Sequence, residues 1–366
     1  MDGDGKSAGG QSYLSGGEGA TAGLAGVVME RIDAEGGISF REFMGTVLYH
    51  EEWGYYARDL RRTGREGDFF TSVSVGPLFG RLLGEHVRGV WGELGKPAGF
   101  RVVEWGAEDG QLAADILAAA EEAGWELGYA IVEPLAGKRE RLRERFGERV
   151  EVVAEAGELE ARPGVVLANE LLDALPVWLV RFEDGEWKEK VVVREGEGLG
   201  WGLRAVSGEL GERLGRIGRN FPEGYETEIR PSCAGLLSEM AGVLDGGEVV
   251  LVDYGFERGD YYVPERREGT LETYGKHRRG RSVFEGMGEL DITAHVDWTA
   301  VEEDAAEVGL GVVGFERQGS FLTRVGADWL RALEGKVDGK MVGQFQMLTH
   351  PGQLGTKFWV MRVARF

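Results

Sequence analysis

Acidic residues recur at the ends of apolar runs in this chain. Arg101, Val102 and Val103 lead into Glu104; Tyr129 to Val132 leads into Glu133 and Pro134; Val165 to Ala168 leads into Asn169 and Glu170. An acid at the tip of a second strand, roughly 20 residues past a glycine loop, suits hydrogen bonds to a ribose diol. That loop follows Glu104 and is bracketed by Gly106 and Gly110, with Ala107, Glu108 and Asp109 between them. Its amides and the following helix N-terminus are expected to face a ligand carrying negative charge. Glu170 and Asp173 are three residues apart, so one turn places both on one side. Such a pair orients a cation and takes up a proton. His295 is either a proton relay or a core histidine bonded to Asp253 or Asp297. His50, His86, His277 and His350 are scattered without ligand spacing, so no metal site is expected. There is no Gly-Lys-Ser/Thr phosphate loop.

These residues need a frame that brings strand tips together. The pattern predicts strand 101–105, helix 111–123, strand 129–133, helix 136–146, and strands 150–153 and 165–168. Further strands are expected at 248–255, 311–317 and 357–363, and helices at 24–32, 38–48, 77–91, 232–244, 292–308 and 328–333. Residues 178–182 and 187–193 alternate like a hairpin around Glu183, Asp184 and Gly185, within an otherwise irregular stretch. The parallel βα alternation predicts a doubly wound α/β sheet, Rossmann-like, with ligands at the carboxyl ends of its strands. Residues 256–290, rich in Gly and Arg with Arg278, Arg279 and Arg281 clustered, are expected to cover the mouth of the site. Aromatics in VLYHEEWGYY (47–56) are expected mainly to pack.

The string Asn169-Glu170-Leu171-Leu172-Asp173-Ala174-Leu175-Pro176 at a strand end resembles the MidA-like family of S-adenosylmethionine (SAM)-dependent methyltransferases. These include a mitochondrial complex I assembly factor that methylates a protein arginine. GDFFTSVSVGPLFG (67–80), Asp253-Tyr254-Gly255, GTLETYGKHR (269–278) and LDITAHVDWTA (290–300) match in the same order. The resemblance runs from about Phe43 to the C-terminus. It implies a class I methyltransferase sheet, mostly parallel with an antiparallel last strand, carrying an N-terminal helical extension and inserted cap segments. On that reading 1–20 is a disordered tail and 21–95 the extension. Residues 96–366 form the SAM-dependent domain, with insertions at about 178–245 and 256–290.

The resemblance implies SAM as cofactor and Glu104, Gly106, Ala107, Gly110, Glu133, Pro134, Asn169 and Thr71 as its surroundings. Thr71 and Ser72 either donate to the cofactor or cap the following helix. Glu158 and Leu159 match where related methyltransferases hold the adenine amino group and cover the ring; Glu158 otherwise reads as a surface loop acid. Glu170, Asp173 and His295 are the catalytic candidates. A protonated arginine is a poor nucleophile, so an arginine acceptor needs a carboxylate to orient it and accept its proton. Glu108 departs from the glycine-richer family loop; it is expected to crowd the cofactor and repel its methionine carboxylate. The competing function is a weakened methyltransferase-fold assembly protein. An NAD-dependent oxidoreductase is disfavoured by the missing middle glycine.

The net charge of -21 argues against a nucleic-acid partner. It suits a cationic protein substrate, such as a respiratory complex subunit, or simply keeps the chain soluble. No apolar run spans a bilayer. Cys233 is the single cysteine, which excludes a disulfide framework. With no transit-like or signal-like N-terminus, a cytoplasmic location is expected. A homodimer is left open.

Overall fold

The apolar runs that end in acids lie side by side. β1 (Arg101–Trp105), β2 (Gly128–Val132), β3 (Glu151–Val153), β4 (Arg162–Asn169), β5 (Leu244–Phe256), β6 (Leu310–Arg317) and β7 (Phe358–Arg365) form one sheet in the computed structural model. Their order is β3-β2-β1-β4-β5-β7-β6. Pairs from β3 to β5 are parallel, whereas β7 runs antiparallel to both β5 and β6. The structure describes residues 20–58, 71–275, 278–279, 282–332 and 338–365. Residues 1–19 of the expected tail, with His277 and Arg281, lie outside them.

All five residues of β1 are buried, as expected for a strand covered on both faces. Side chains alternate between two cores. Val102 packs with α3 (Leu78–Glu93) and α4 (Gln111–Glu122); Val103 and Trp105 pack toward the helices Ala234–Gly242 and Trp298–Glu307. The parallel register sets the site. Trp105 lies beside Val132 and Ala168, and Asn169 beside Val252. Glu133, Asn169, Glu170 and Asp253 therefore emerge near one level, with Glu104 one residue below the tip of β1.

The N-terminal segment forms α1 (Ala20–Glu35) and α2 (Phe40–Tyr49). Phe40, Phe43, Met44, Val47 and Leu48 are all buried, and Ser39 and Glu42 form a capping box. Both helices pack on a second, antiparallel sheet built from Ile38–Ser39, Trp178–Glu183, Glu186–Glu195, Gly198–Ala205 and Glu226–Ile229. The expected hairpin is part of this sheet. Asp184 and Gly185 both take positive φ, as its tight two-residue loop requires. The rest of that sheet was not legible in the local pattern.

Two element expectations need correction. Residues 292–308 are not one helix. Asp291–Thr293 pairs antiparallel with Glu272–Gly275, Val296–Asp297 lies parallel beside the end of β5, and only Trp298–Glu307 is helical. The β-branched residues Ile292, Thr293 and Val296 favour extended backbone, and Asp297 caps the helix by accepting from the Ala300 amide at 3.1 Å. Near the C-terminus the expectation was incomplete: the short helix expected at 328–333 is Ala327–Ala332, and two further helices, Gln318–Val325 and Gly339–Thr349, flank it.

Candidate active site

The carboxyl ends of β1, β2 and β4 open into a cavity of about 820 Å³, within the range of small-molecule sites. Gly106 and Ala107 form its floor, at a turn where Gly106 has φ +69°. A Cβ there would meet Leu171 at 3.0 Å. Glu104 also lines the cavity and accepts from the Tyr129 hydroxyl at 2.7 Å. Removal from water raises its carboxyl to about 7. Glu133 is buried at the tip of β2, followed by Pro134. Its Oε1 accepts from the Leu135 amide at 2.9 Å; burial raises its pKa, and Lys138 opposes that rise.

Asn169 contributes an amide whose Oδ1 is buried without a hydrogen-bond partner among the described residues. An orphaned acceptor in a cavity wall is a place for a ligand donor. Neither Thr71 nor Ser72 caps the helix that follows, whose N-cap is Pro77 without a side-chain bond; Thr71 Oγ1 accepts from the Ser74 amide at 3.1 Å, and the residue lines the cavity. Ser72 is fully buried and donates to Gln318 Oε1 at 2.9 Å.

Glu170 and Asp173 line the cavity next to Asn169. Glu170 has φ +51°, and its Oε1 accepts from Asn169 Nδ2 at 3.2 Å and the Ser72 amide at 3.4 Å. Its pKa is raised to about 8, first by removal from water and then by the Asp173 charge. Asp173 accepts from the Tyr254 hydroxyl; burial raises its pKa, opposed by that bond and by Arg230. The turn is bracketed from below. Asp253 Oδ2 accepts the Leu172 and Asp173 amides at 2.9 and 3.1 Å. The buried Arg230 guanidinium donates to the carbonyls of Leu172, Leu175 and Ala294.

Four candidates fall outside the cavity lining. Gly110 is the N-cap of α4 at φ +80°, and a Cβ would meet Phe146 at 2.5 Å, so its constraint is packing. Glu158 folds back on its own loop and accepts from the Ala154 and Glu155 amides at 2.8 and 3.0 Å; those bonds hold its carboxyl below the ordinary range. Leu159 is buried in the core. At that level the wall is Ala154, Glu155, Ala156 and Gly157. His295 stacks on Phe256 at 5.1 Å and meets Tyr254 edge-on. The Asp253 carboxylate accepts backbone amides, and Asp297 caps a helix and pairs with Arg258.

Several lining residues were not expected. Tyr49 and Tyr56 stack at 5.2 Å and line the cavity. The Tyr56 hydroxyl donates to Asp291 at 3.0 Å and the Tyr49 hydroxyl to the Ala174 carbonyl at 2.9 Å. So the aromatic N-terminal segment, expected mainly to pack, forms a wall. No described residue of 256–290 does. Lys138 donates to Glu108 Oε2 at 2.7 Å, which neutralises the charge expected to repel the cofactor. Glu108 does occupy a glycine-like conformation, at φ +53°. The first amide of α4 is not open to an outside anion, because Asp109 Oδ1 accepts from the Gln111 amide at 3.0 Å.

A β3-β2-β1-β4-β5-β7-β6 sheet with β7 reversed, and a nucleotide-sized cavity at its acid-tipped strands, is the arrangement of SAM-dependent methyltransferases. Residues 82–316 match the family of S-adenosyl-L-methionine-dependent methyltransferases, and the chain belongs to it. A protein from Burkholderia thailandensis, solved with S-adenosyl-homocysteine bound, is 32% identical and superposes with a TM-score of 0.85, covering 97% of this chain and 95% of that one. A Drosophila melanogaster protein named protein arginine methyltransferase NDUFAF7 homolog, mitochondrial, is 29% identical over 92% of this chain and 83% of its own. The Homo sapiens protein arginine methyltransferase NDUFAF7, mitochondrial, is 26% identical over 90% of this chain and 81% of its own. The chain is thus a methyltransferase with SAM as cofactor. The mitochondrial relatives overturn the expected cytoplasmic location. A lone cysteine excludes a disulfide framework but does not select among reducing compartments.

Proposed function

We propose that the methyl acceptor is an arginine side chain of a protein partner, of the respiratory-complex-subunit kind that the sequence resemblance implies. The observation carrying this reading is the Glu170–Asp173 pair facing a cofactor-sized cavity beside stacked Tyr49 and Tyr56. The relatives named as protein arginine methyltransferases support it.

On this reading Glu133 accepts hydrogen bonds from the ribose hydroxyls, and the Gly106–Ala107 backbone with Glu104 receives the methionine end. Pro134 and the Ala154–Gly157 wall enclose the adenine, and Asn169 and Thr71 complete the surroundings. The bound cofactor supplies an electrophilic methyl on a sulfonium. The chain must align the acceptor with it and exclude water. Tyr49 and Tyr56 close the acceptor side.

Glu170 is the proton acceptor. With its pKa raised to about 8 it is mostly neutral at pH 7 in the ligand-free site. A guanidinium beside it favours the charged form and lowers that pKa, so the base is armed when the acceptor is seated. As the new C–N bond forms at a guanidinium nitrogen, the methyl–sulfur bond would break to leave S-adenosylhomocysteine, and that nitrogen's proton would pass to Glu170. Asp173, fixed by Tyr254, orients the remaining guanidinium hydrogens.

The test is Glu170→Gln, with cell extract as acceptor source and methylated arginine read by mass spectrometry. Turnover should fall about 100-fold, the scale of a general base, while S-adenosylhomocysteine affinity is nearly unchanged. Parental turnover in that variant, or methylation of another residue type, would sink the reading.

A further inference from the structure

The cavity has an uneven charge inventory. Among the described residues that line it, nine are acidic, Glu104 and Glu170 with pKa raised to about 7 and about 8, and one, Lys138, is basic. SAM brings three charged groups to such a wall: a sulfonium, an ammonium and a carboxylate. The two cations find many partners there. The single anion does not, and moving it from water into an acid-lined cavity without a cation is unfavourable.

The customary partner for an anion in this fold is the helix N-terminus behind the glycine loop. Here Asp109 already occupies the first amide of α4. Lys138 lies on the neighbouring element, in the first turn of α5 (Ala136–Phe146), and is only 7% exposed. Its Nζ is 2.7 Å from Glu108 Oε2 and 5.0 Å from the Tyr56 ring centroid, and its charge acts on Glu133. It therefore stands between the loop after β1, the tip of β2 and the N-terminal aromatic wall. An ammonium has three donors, so Glu108 leaves capacity for a second anion. Glu108, in turn, holds a left-handed backbone conformation that disfavours a residue with a side chain. Its bond to Lys138 gives that side chain a partner.

We propose that Lys138 receives the carboxylate of the cofactor's methionine moiety, and that Glu108 holds Lys138 in place for it. This rests on the cavity being the cofactor site. Loop and lysine then form one unit: a glutamate in the loop requires a lysine on α5, and the lysine adds an anion contact beside a helix start whose first amide Asp109 occupies.

The test compares two ligands by titration calorimetry on the full chain. S-adenosylhomocysteine carries the amino-acid carboxylate; 5′-methylthioadenosine keeps the adenine, ribose and thioether but lacks it. Lys138→Met should weaken S-adenosylhomocysteine about tenfold or more, the scale of a lost charged hydrogen bond, and leave methylthioadenosine nearly unchanged. Lys138→Arg should restore most of the difference, which separates the contact from a general packing effect. Glu108→Gln should weaken S-adenosylhomocysteine and leave methylthioadenosine nearly unchanged, because Lys138 loses the carboxylate that holds it in place; tighter S-adenosylhomocysteine in that variant would overturn the positioning role. Equal weakening of both ligands in Lys138→Met, or weakening of neither, overturns the assignment. Glu133→Ala serves as the control on the cavity itself. If it weakens both ligands, a failure at Lys138 concerns Lys138 only. If it weakens neither, the cavity is not the cofactor site and both readings fall.

Discussion

Glu170 combines two unfavourable features, a left-handed backbone and a carboxyl withdrawn from water beside Asp173. Strain of this kind persists where surrounding structure over-determines it. Here Asp253, Tyr254 and Arg230 clamp the turn that Glu170 begins. A carboxyl whose pKa is raised on folding binds its proton more tightly in the folded state. Its stabilising effect is full below the ordinary glutamate value and is lost as pH rises toward 8. Glu170→Gln removes that dependence. Compared by urea unfolding at low and high pH, the variant should gain on the parent between pH 5.5 and 8.5, as the parent's Glu170 is forced to ionise. A constant difference between the two proteins would mean that Glu170 is not held neutral. At the cofactor end, Glu133→Ala should weaken S-adenosylhomocysteine by about 1–3 kcal/mol, the scale of lost bonds at a buried acceptor. Calorimetric titration of that variant checks it.

Among the elements, the stretch 291–307 does most to join the two sheets to the site. Asp291 meets Tyr56, Ala294 and its neighbours receive Arg230, and Asp297 starts the helix that covers β5 and β6. Each strand here is two or three residues long, so the segment depends on its anchors rather than on its ladders. Asp297→Ala removes the cap and one partner of Arg258. The loss should be about 1–2 kcal/mol of unfolding free energy, the upper part of the range for caps. Denaturant titration measures it. An unchanged midpoint would show that the helix start is set by the packing of Trp298 instead.

For the whole molecule, the cavity is where separately packed parts meet: the tips of the central sheet, the aromatic N-terminal segment, and Asp291 from the short strand that pairs with Glu272–Gly275. A ligand seated there touches all three and so stabilises them together. S-adenosylhomocysteine at 100 times its dissociation constant should add about 2.7 kcal/mol to unfolding, provided that only the folded chain binds it. Thermal unfolding with and without ligand reads this. The bond from Tyr56 to Asp291 spans 235 residues of sequence, and that from Tyr49 to Ala174 spans 125. Tyr56→Phe cuts the first. Cleavage by protease within 50–58 should then be faster in the ligand-free protein, and S-adenosylhomocysteine should suppress the difference. Equal cleavage of parent and variant would show that the segment is held by its core contacts alone.

Much of the site could be read before any contact was known. Glu104, Glu133, Asn169, Glu170 and Asp173 all stand at strand ends, and the cavity lies among them. Those are local facts: an apolar run makes a buried strand, a glycine turn ends it, and the residue at the tip faces the sheet's carboxyl edge. Gly110 and Glu158 also had the right local setting, yet packing against Phe146 and a bond to its own loop turned them away from the cavity. Lys138 and Arg230 gave no local signal, and Tyr49, Tyr56 and Asp291 lay in noted strings without one that placed them at the site. An aromatic on an amphipathic helix, a lysine in a first turn and an arginine after a short strand have the same appearance in any soluble chain. What gives them a place is register and packing across long sequence separations, where the sheet fixes which tips are level and the cores fix which helix covers them. Spacing put acids at the strand tips, and the resemblance carried by Asn169 to Pro176 named the class of chemistry there; only the tertiary structure decided which charges and rings enclose it, because those contacts belong to no single stretch of sequence.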